Sequence, residues 1–162
     1  MDRQTKPLRK KLLNVDDLRS IASVSNRPLV FTNGVFDLLH AGHVTYLEQA
    51  KALGRSLVIG VNSDGSVKLL GKGDNRPFNK LVDRMIVLAA LECVDFVVPF
   101  ERETPIDLIK IVKPDILVKG GDWAVENIVG STEVARWGGR TVSIPFEYTI
   151  STTEIARRIV EG

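Results

Sequence analysis

The chain has 162 residues and a hydrophobic content of 44%, enough to bury one sizeable core but too short for two independent domains. Its 22 basic and 20 acidic residues leave a formal net charge of +2, which disfavours a general nucleic-acid-binding surface. The single cysteine, Cys93, excludes an internal disulfide and a cysteine-based metal site, and it suits a reducing compartment. Because no long apolar stretch follows the basic start, we expect a cytoplasmic protein without a signal peptide or membrane anchor.

The N-terminal part of the chain differs in composition from the rest. Residues 1–12 mix lysine and arginine with few apolar side chains, and we expect them to form a loosely ordered lead-in. We therefore divide the chain into an N-terminal segment, residues 1–26, which holds a basic tail and a short helix, and one domain, residues 27–162.

From residue 29 onward, short β-branched runs alternate with longer amphipathic stretches, a pattern typical of βαβ units and a parallel sheet. The runs are mostly apolar, as expected of strands covered on both faces. We therefore predict a single α/β domain with a Rossmann-like, doubly wound, five-stranded parallel sheet and helices on both faces. The predicted strands are residues 29–32, 57–62, 96–99, 116–119 and 141–144.

Helices are predicted before, between and after these strands, and Asn14, Asn79 and Thr104 stand where N-terminal caps belong. Residues 63–78 lack strong periodicity and hold three glycines and a proline, which predicts a long functional loop. In an open α/β sheet, ligands bind beyond the carboxyl ends of the strands. The predicted helices are residues 15–24, 43–53, 80–91, 105–112, 126–137 and 153–160.

The segment after the first strand contains both histidines of the chain, His40 and His43. Gly34 allows a tight strand exit, and Gly42 opens a helix whose free N–H groups and dipole favour a phosphate. Two imidazoles at this junction can donate hydrogen bonds to phosphate oxygens as charge develops. A metal site is the weaker alternative, because no third ligand is evident beyond Asp37. We therefore predict phosphate binding and no metal ligands among the side chains.

Residues 34–43, Gly-Val-Phe-Asp-Leu-Leu-His-Ala-Gly-His, resemble the signature of the cytidylyltransferase-like nucleotidyltransferases, the HxGH superfamily. The resemblance implies that His40 and His43 contact the nucleotide phosphates and stabilise the transition state. From residue 27 onward, the chain is also similar to the adenylyltransferase domain of bacterial ADP-heptose synthase. The supporting segments are residues 61–64, 72–77, 83–85, 118–123 and 150–153.

The resemblance gives roles to cations that follow the second strand. Lys72 and Arg76 are expected to act with the histidines in catalysis, reaching triphosphate oxygens and closing over the site. A solvated charge run is the alternative for both. Arg84 is expected to be a second phosphate clamp, with an exposed helix residue as the alternative.

Lys119 ends the fourth strand, and Gly121, Asp122 and Trp123 follow it. All four residues are predicted to bind the nucleotide. The glycine pair gives the backbone access to a flat ligand, and Trp123 offers a stacking face that suits a nucleobase or a sugar. Ordinary core packing is the alternative for this tryptophan.

The remaining predicted site residues come from the motif and from the start of the last helix. Ser151, Thr152 and Thr153 resemble the family segment that supplies hydroxyls and helix N-terminal amides to the phosphates, although helix capping is also compatible with them. Further predicted nucleotide contacts are Thr32, Asn33, Gly34, Phe36 and Gly42, and the predicted contacts to the sugar or acceptor are Asp37 and Asn62.

The resemblance implies an enzyme that transfers AMP from ATP to D-glycero-β-D-manno-heptose 1-phosphate. The products would be ADP-heptose, for lipopolysaccharide or surface-glycan precursors, and pyrophosphate. A phosphate oxygen of the sugar would attack the α-phosphorus in line, with Mg²⁺ bound mainly through the nucleotide phosphates. The ionised phosphate nucleophile needs no strong general base.

We expect only small-molecule substrates as partners, no nucleic acid and no membrane, and a homodimer or higher homo-oligomer with Val82, Ile86 and Val87 as candidate contacts. Because many relatives fuse a sugar kinase ahead of this domain, we expect a separate heptose kinase upstream. Alternatives are a glycerol-3-phosphate cytidylyltransferase, another HxGH enzyme such as a pantetheine-phosphate adenylyltransferase, or a nucleotide-sensing module without chemistry.

Overall fold

Five strands form one sheet in the computed structural model, which describes residues 7–71, 73 and 75–161, without the side chains of residues 7 and 20–24. The strands are β1 (Leu29–Gly34), β2 (Ser56–Asn62), β3 (Phe96–Phe100), β4 (Ile116–Gly120) and β5 (Arg140–Ile144). Their order is β3-β2-β1-β4-β5, and every neighbouring pair is parallel. The predicted doubly wound parallel sheet is therefore confirmed, and its strand order reverses between β1 and β4.

Helices cover both faces of this sheet. The α-helices are α1 (Val15–Val24), α2 (Ala41–Ala52), α3 (Asp64–Leu69), α4 (Leu81–Ala89), α5 (Ile106–Val112), α6 (Ser131–Arg136) and α7 (Thr152–Glu161). Helices α2 and α4 contribute to the core on one face, whereas α1, α5 and α6 contribute to the core on the other. No helix in the described part of the chain is both long and apolar enough to cross a membrane.

Strand β2 shows why the sheet needs both layers. All its residues are buried. Leu57 and Ile59 point into the core beneath α2 and α4, whereas Val58 points into the core beneath α5. Since successive side chains of a strand alternate between the faces, a continuous apolar run is stable only when both faces are covered.

The stretch at residues 63–78 is not a loop throughout, so that prediction is wrong for its first part. Helix α3 begins after Ser63, whose hydroxyl oxygen accepts a hydrogen bond from Ser66 N at 3.1 Å. A helix this short has too few residues to show apolar periodicity in the sequence.

The single helix predicted over residues 126–137 is interrupted. A 3₁₀-helix at Val125–Asn127 is followed by α6, and Gly130 lies between them with a φ of +93°. A Cβ on Gly130 would lie 2.7 Å from Cδ1 of Ile109 on α5. The left-handed backbone and the close approach to α5 therefore require glycine here and end the helical run.

The described N-terminal residues lie against the sheet. Residues 7–11 form a 3₁₀-helix, Leu12 makes a β-bridge with Val97, and Leu13 N donates to Val97 O at 2.9 Å. Leu13 and Leu18 are buried in the core. The expected loose lead-in is therefore wrong for residues 7–12, because Leu12 and the following Leu13 cover the edge of β3. Residues 1–6 lie outside the described residues, and the division of the chain at residue 27 stays a prediction.

The predicted helix caps have different outcomes. Asn14 caps α1, its side-chain oxygen accepting a hydrogen bond from Asp17 N at 2.8 Å. The caps predicted at Asn79 and Thr104 are wrong, because α4 and α5 each begin one residue later than expected. The Asn79 amide instead donates to Asp37 O at 2.7 Å.

Leu117 and Leu69 form a matched pair for testing the core. Leu117 is 1% exposed, whereas Leu69 on α3 is 64% exposed. We expect Leu117→Ala to lower the free energy of unfolding by about 2–5 kcal/mol, because it leaves a cavity between β4 and α5. Leu69→Ala should change it by less than about 0.5 kcal/mol. Urea unfolding followed by circular dichroism measures both, and equal losses would contradict this assignment of the core.

Candidate active site

The chain turns sharply where β1 ends. Phe36 has a left-handed backbone with a φ of +50°, which is costly for a bulky residue. Its ring lies against Gly34, where a Cβ would come within 2.9 Å of Phe36 Cε2. The turn buries Phe36 and Asp37 and leads the chain towards α2.

His40 and His43 stand at the start of α2. The extended His40 accepts hydrogen bonds at its carbonyl from the backbone N–H groups of His43, at 2.9 Å, and Val44, at 3.2 Å. The two imidazole rings have centroids 3.9 Å apart, with 31° between their planes. Gly42 leaves room for the His40 ring, because a Cβ there would lie 3.2 Å from His40 Nδ1. The rings thus form a pair beside the free N–H groups of a helix N-terminus.

Burial decides the charge of His40. It lowers the pKa of the imidazole below the ordinary value of 6.5, because desolvation disfavours the charged form. His40 Nδ1 is buried and has no hydrogen-bond partner among the described residues. In the free protein at neutral pH the ring is therefore neutral, and a bound phosphate would favour uptake of a proton.

A cavity of about 400 Å³ opens at the carboxyl end of β1, on the α2 side. We call it the histidine-side cavity. It brings predicted site residues together from the β1 exit, α2, the loop before α4, the end of β4 and the start of α7. The lining residues are Asn33, Gly34, Val35, Phe36, Asp37, His43, Tyr46, Val67, Arg76, Lys119, Gly120, Phe146, Thr152 and Thr153.

Sequence reasoning missed several of these lining residues, including Tyr46 and Phe146. Tyr46 follows His43 by three residues on α2, and this helical spacing was an available signal. Phe146 lies in an irregular segment that offers no such signal. Its ring takes the space beside Gly120, where a Cβ would lie 2.7 Å from Phe146 Cζ. Part of the space left by the glycine pair is thus filled by the chain itself.

Asp37 and Arg76 form an ion pair at this cavity, with Arg76 Nη1 and Asp37 Oδ2 2.8 Å apart. The carboxylate also accepts hydrogen bonds from Phe78 N at 3.0 Å and Asn79 N at 2.9 Å. Burial alone would raise the pKa of Asp37, but these two amides and the Arg76 guanidinium together lower it. Arg76 also lies 4.3 Å from the Phe78 ring centroid and donates to Thr153 Oγ1 at 3.4 Å. Asp37 therefore holds the loop before α4 against the β1 exit.

Arg84 is buried and does not line the histidine-side cavity. Its Nε donates to Asn79 O at 3.0 Å, and its Nη1 donates to Val35 O at 2.6 Å. Its Nη2 donates to Asn62 O and to Asp64 Oδ1, each at 2.8 Å. These contacts favour a role in positioning the backbone, and the predicted phosphate contact of Arg84 stays a prediction.

Thr32 lies beneath the cavity rather than in its lining. It is buried, and its hydroxyl shares a hydrogen bond with the hydroxyl of Tyr46, which also approaches Val118 O at 3.5 Å. Burial raises the pKa of Tyr46 well above its usual range, so the phenol stays protonated. These contacts join α2 to β1 and β4.

Other predicted residues lie at the margin of the site. Ser151 caps α7, accepting a hydrogen bond from Glu154 N at 3.1 Å. Gly121 and the exposed Asp122 do not line the histidine-side cavity, and Lys72 lies outside the described residues. Their proposed roles stay predictions.

A second cavity of about 410 Å³ opens on the other side of the same edge of the sheet. We call it the tryptophan-side cavity, and the predicted residues Asn62 and Trp123 lie in it. The two cavities share one wall, which consists of Asn33, Gly34, Val35 and Lys119. The lining residues of the second cavity are Asn33, Gly34, Val35, Asn62, Leu70, Glu103, Thr104, Pro105, Lys119, Trp123, Asn127, Ile128 and Val129.

Comparison with known proteins agrees with this geometry. The cytidylyltransferase-like family model matches residues 31–158, which include the β1 exit, both histidines and the start of α7. The chain belongs to the cytidylyltransferase-like family. The family predicted from residues 34–43 is thus confirmed.

Two curated proteins are close to this chain in sequence. The chain is 54% identical over 136 residues to a D-beta-D-heptose 1-phosphate adenylyltransferase of Bordetella bronchiseptica, and the match covers 84% of each chain. It is 56% identical over 131 residues to the bifunctional protein HldE of Cronobacter sakazakii. That match covers 81% of this chain but only 27% of HldE.

Solved structures show the same fold. The lipopolysaccharide core biosynthesis protein of Thermoplasma volcanium superposes with a TM-score of 0.62 at 27% identity, covering 75% of this chain and 98% of that one. A pantoate-beta-alanine ligase of Francisella tularensis superposes with a TM-score of 0.59 at 15% identity, over 93% of this chain and 78% of that one. At that identity the likeness concerns the fold alone.

Removing the Arg84 guanidinium should destabilise the whole protein. We expect Arg84→Ala to lower the free energy of unfolding by about 3–5 kcal/mol, because it leaves buried carbonyl groups unpaired. Arg102→Ala removes an exposed ion pair with Asp107 and should cost at most about 1 kcal/mol. Urea unfolding of both variants measures this. A stable Arg84→Ala protein that has lost only nucleotide affinity would identify a phosphate clamp instead.

The charge of His40 can be followed by NMR. We expect its imidazole to titrate below pH 6.5 in the free protein, because burial lowers its pKa, and to titrate at higher pH when pyrophosphate is bound. Assignment is simple, because the chain has two histidines and His43→Asn leaves one signal. A free-protein pKa at or above 6.5, or one unchanged by pyrophosphate, would contradict this view of the pair.

Proposed function

We propose that the chain transfers AMP from ATP to D-glycero-β-D-manno-heptose 1-phosphate, giving ADP-heptose and pyrophosphate for lipopolysaccharide or surface-glycan precursors. The observation that carries the proposal is the 54% identity, over 84% of both chains, to a protein named for adenylyl transfer to a heptose 1-phosphate. Supporting it, His43, whose ring lies beside that of His40, lines a cavity whose volume suits a small-molecule ligand.

In this proposal the triphosphate lies in the histidine-side cavity. His40 and His43 would donate hydrogen bonds to phosphate oxygens, assisted by the free N–H groups at the start of α2. Arg76 is held at the cavity by Asp37, so little of its side-chain entropy is lost when it meets an anion. Thr152 and Thr153 line the cavity and offer hydroxyls to the same phosphates. Lys72, outside the described residues, keeps its proposed catalytic role.

The chemistry needs charge neutralisation more than proton transfer. An ionised oxygen of the sugar phosphate attacks the α-phosphorus, and pyrophosphate leaves. No group of three or more histidine, cysteine or acidic residues that could hold a metal ion occurs among the described residues. Asp37, the carboxylate that lines the cavity, is already engaged by two amides and by Arg76. Mg²⁺ would therefore arrive mainly through the nucleotide phosphates, where it would neutralise their charge.

A cytidylyltransferase acting on glycerol 3-phosphate is the second candidate. The matching family model, which is described as cytidylyltransferase-like, is compatible with both candidates. A module that binds nucleotide without chemistry is the alternative outside enzymes, and the experiment below separates all three.

The location, the substrate supply and the oligomeric state that we propose are those expected from the sequence. We propose that it works in the cytoplasm on heptose 1-phosphate supplied by a separate heptose kinase, and that it forms a homodimer or higher homo-oligomer. Val82, Ile86 and Val87 on α4 are candidates for the contact between copies, because they are 64%, 39% and 49% exposed.

Pyrophosphate release with Mg²⁺ tests the proposed reaction. Wild-type protein is given ATP or CTP, each with D-glycero-β-D-manno-heptose 1-phosphate or glycerol 3-phosphate. We expect release only with ATP and the heptose phosphate. His43→Ala should lower kcat by about 10²–10³, the usual effect of losing one donor to the transition state. Thr45→Ala, on the same helix outside the cavity lining, should leave kcat nearly unchanged.

Each other outcome has a distinct meaning. Release with CTP and glycerol 3-phosphate would keep the chemistry and overturn the proposed substrates. Nucleotide binding without release, with any of these acceptors, would favour the sensing module.

A further inference from the structure

Helix α2 reaches the histidine-side cavity without a side-chain cap at its N-terminus. His40 stands at the N-cap position, but its side chain makes no capping hydrogen bond. The first turn then begins with Ala41 and Gly42, and a glycine restrains the backbone less than any other residue. His43 belongs to this turn and lines the cavity. Contacts further along α2 are therefore needed to hold this turn against the ends of the strands.

Tyr46 supplies such a contact. It follows His43 by three residues, so the two side chains lie on the same side of α2, about 4.5 Å apart along the helix axis. The Tyr46 hydroxyl shares a hydrogen bond with the hydroxyl of Thr32 on β1 and approaches Val118 O on β4 at 3.5 Å. Tyr46 is 4% exposed, and Thr32 is completely buried. Helix α2 is thus tied to both strands between which the strand order reverses.

The hydrogens of the two hydroxyls give this contact a direction. Burial raises the pKa of Tyr46, so the phenol keeps its one hydrogen. That hydrogen is directed at Val118 O, so the Thr32 hydroxyl donates to the phenol oxygen. Removing either hydroxyl would leave a buried polar group without its partner, which is costly.

The ring of Tyr46 is held as well as its hydroxyl. The Phe146 ring meets it edge-on, with the ring centroids 5.7 Å apart and 68° between the planes. Gly120, at the end of β4, leaves room for both rings, because a Cβ there would lie 2.7 Å from Phe146 Cζ and 3.2 Å from Tyr46 Cε2. Helix α2 therefore cannot slide along the sheet without breaking the hydroxyl contacts or the ring contact.

We propose that Tyr46 is a positioning residue for His43, and that its hydrogen bond with Thr32 fixes the distance of the His43 imidazole from the reacting phosphate. The inference rests on the proposed function and adds to it a residue that acts through His43. One turn of an α-helix is stiff, so a shift at Tyr46 moves His43 with it. A donor stabilises developing charge only at hydrogen-bond distance, and a misplacement of about 1 Å can cost about 10²-fold in rate.

Kinetics of the two tyrosines of the chain tests this role. Tyr46→Phe removes the hydroxyl and keeps the ring. Tyr148→Phe makes the same change at a side chain that is 47% exposed and lines neither cavity. We expect Tyr46→Phe to lower kcat about tenfold and to leave the KM for ATP within about twofold, because the binding contacts are kept. Tyr148→Phe should change neither. An unchanged kcat, or a raised KM at unchanged kcat, would overturn the proposal.

The partner hydroxyl gives a second set of variants. Thr32→Val keeps the size of the side chain and removes its hydroxyl, whereas Thr32→Ser keeps the hydroxyl. We expect Thr32→Val to lower kcat about as much as Tyr46→Phe does, and Thr32→Ser to lower it less. The double variant Thr32→Val/Tyr46→Phe should lose little more than either single variant, because both remove one hydrogen bond. Losses that simply add would show that the two hydroxyls do not act together. Urea unfolding of each variant checks that the protein assayed is folded.

NMR separates this inference from the proposed reaction. His40→Asn leaves His43 as the only histidine, so one Cε1–H signal reports on it. In this background we expect Tyr46→Phe to shift that signal, both free and saturated with pyrophosphate. Because the aromatic ring is kept, the shift reports a displaced imidazole. The Kd for pyrophosphate should stay within about twofold, because the phosphate contacts remain.

The two proposals fail in different ways. If pyrophosphate is released as proposed but Tyr46→Phe leaves the His43 signal and kcat unchanged, the reaction stands and the positioning role is wrong. If the wild type releases no pyrophosphate with any substrate pair, but Tyr46→Phe shifts the His43 signal of the pyrophosphate complex and Tyr148→Phe does not, the proposed reaction is wrong and the positioning role stands.

Discussion

Four hydrogen bonds from the buried Arg84 guanidinium connect the ends of the paired strands β1 and β2 to the loop before α4 and to the start of α3. They reach Val35 after β1, Asn62 at the end of β2 and Asn79 before α4, and Asp64 supplies the balancing carboxylate. A buried charge is tolerated only when its donors are satisfied, so these segments are held at fixed positions around one planar group. The rims of both cavities are built on segments that this group connects.

The ion pair between Asp37 and Arg76 adds a second set of contacts at the site. Asp37 bonds two amides of the loop before α4 and the Arg76 guanidinium, which places a cation at the histidine-side cavity without a ligand. The strained turn at Phe36 presents Asp37 to that loop, and Gly34 makes the turn possible by leaving room for the Phe36 ring. The Arg76 side chain therefore loses its conformational entropy on folding. Less free energy is lost when a ligand binds.

The reversal of strand order between β1 and β4 gives the site its two sides. On the α2 side, the histidine pair and the start of α7 favour phosphates. On the other side, Trp123 and Glu103 form a less basic cavity. Because the wall between the two cavities consists of the ends of two strands, ligands bound in both of them would lie close together.

The sequence by itself determined the sheet, the family and the histidine pair, because these depend on local patterns. Apolar runs bounded by turns indicate strands, and residues 34–43 carry a signature within one segment. Tertiary structure alone decided that Arg84 is a buried support, since a charged residue on a helix has the same local pattern whether it faces water or carbonyl groups. It also decided that Asp37 meets Arg76, 39 residues away, that Gly130 breaks a helix against Ile109, and that Phe146 fills the space beside Gly120. Each of these depends on contacts between segments distant in sequence, whose geometry arises only when the helices pack on the sheet.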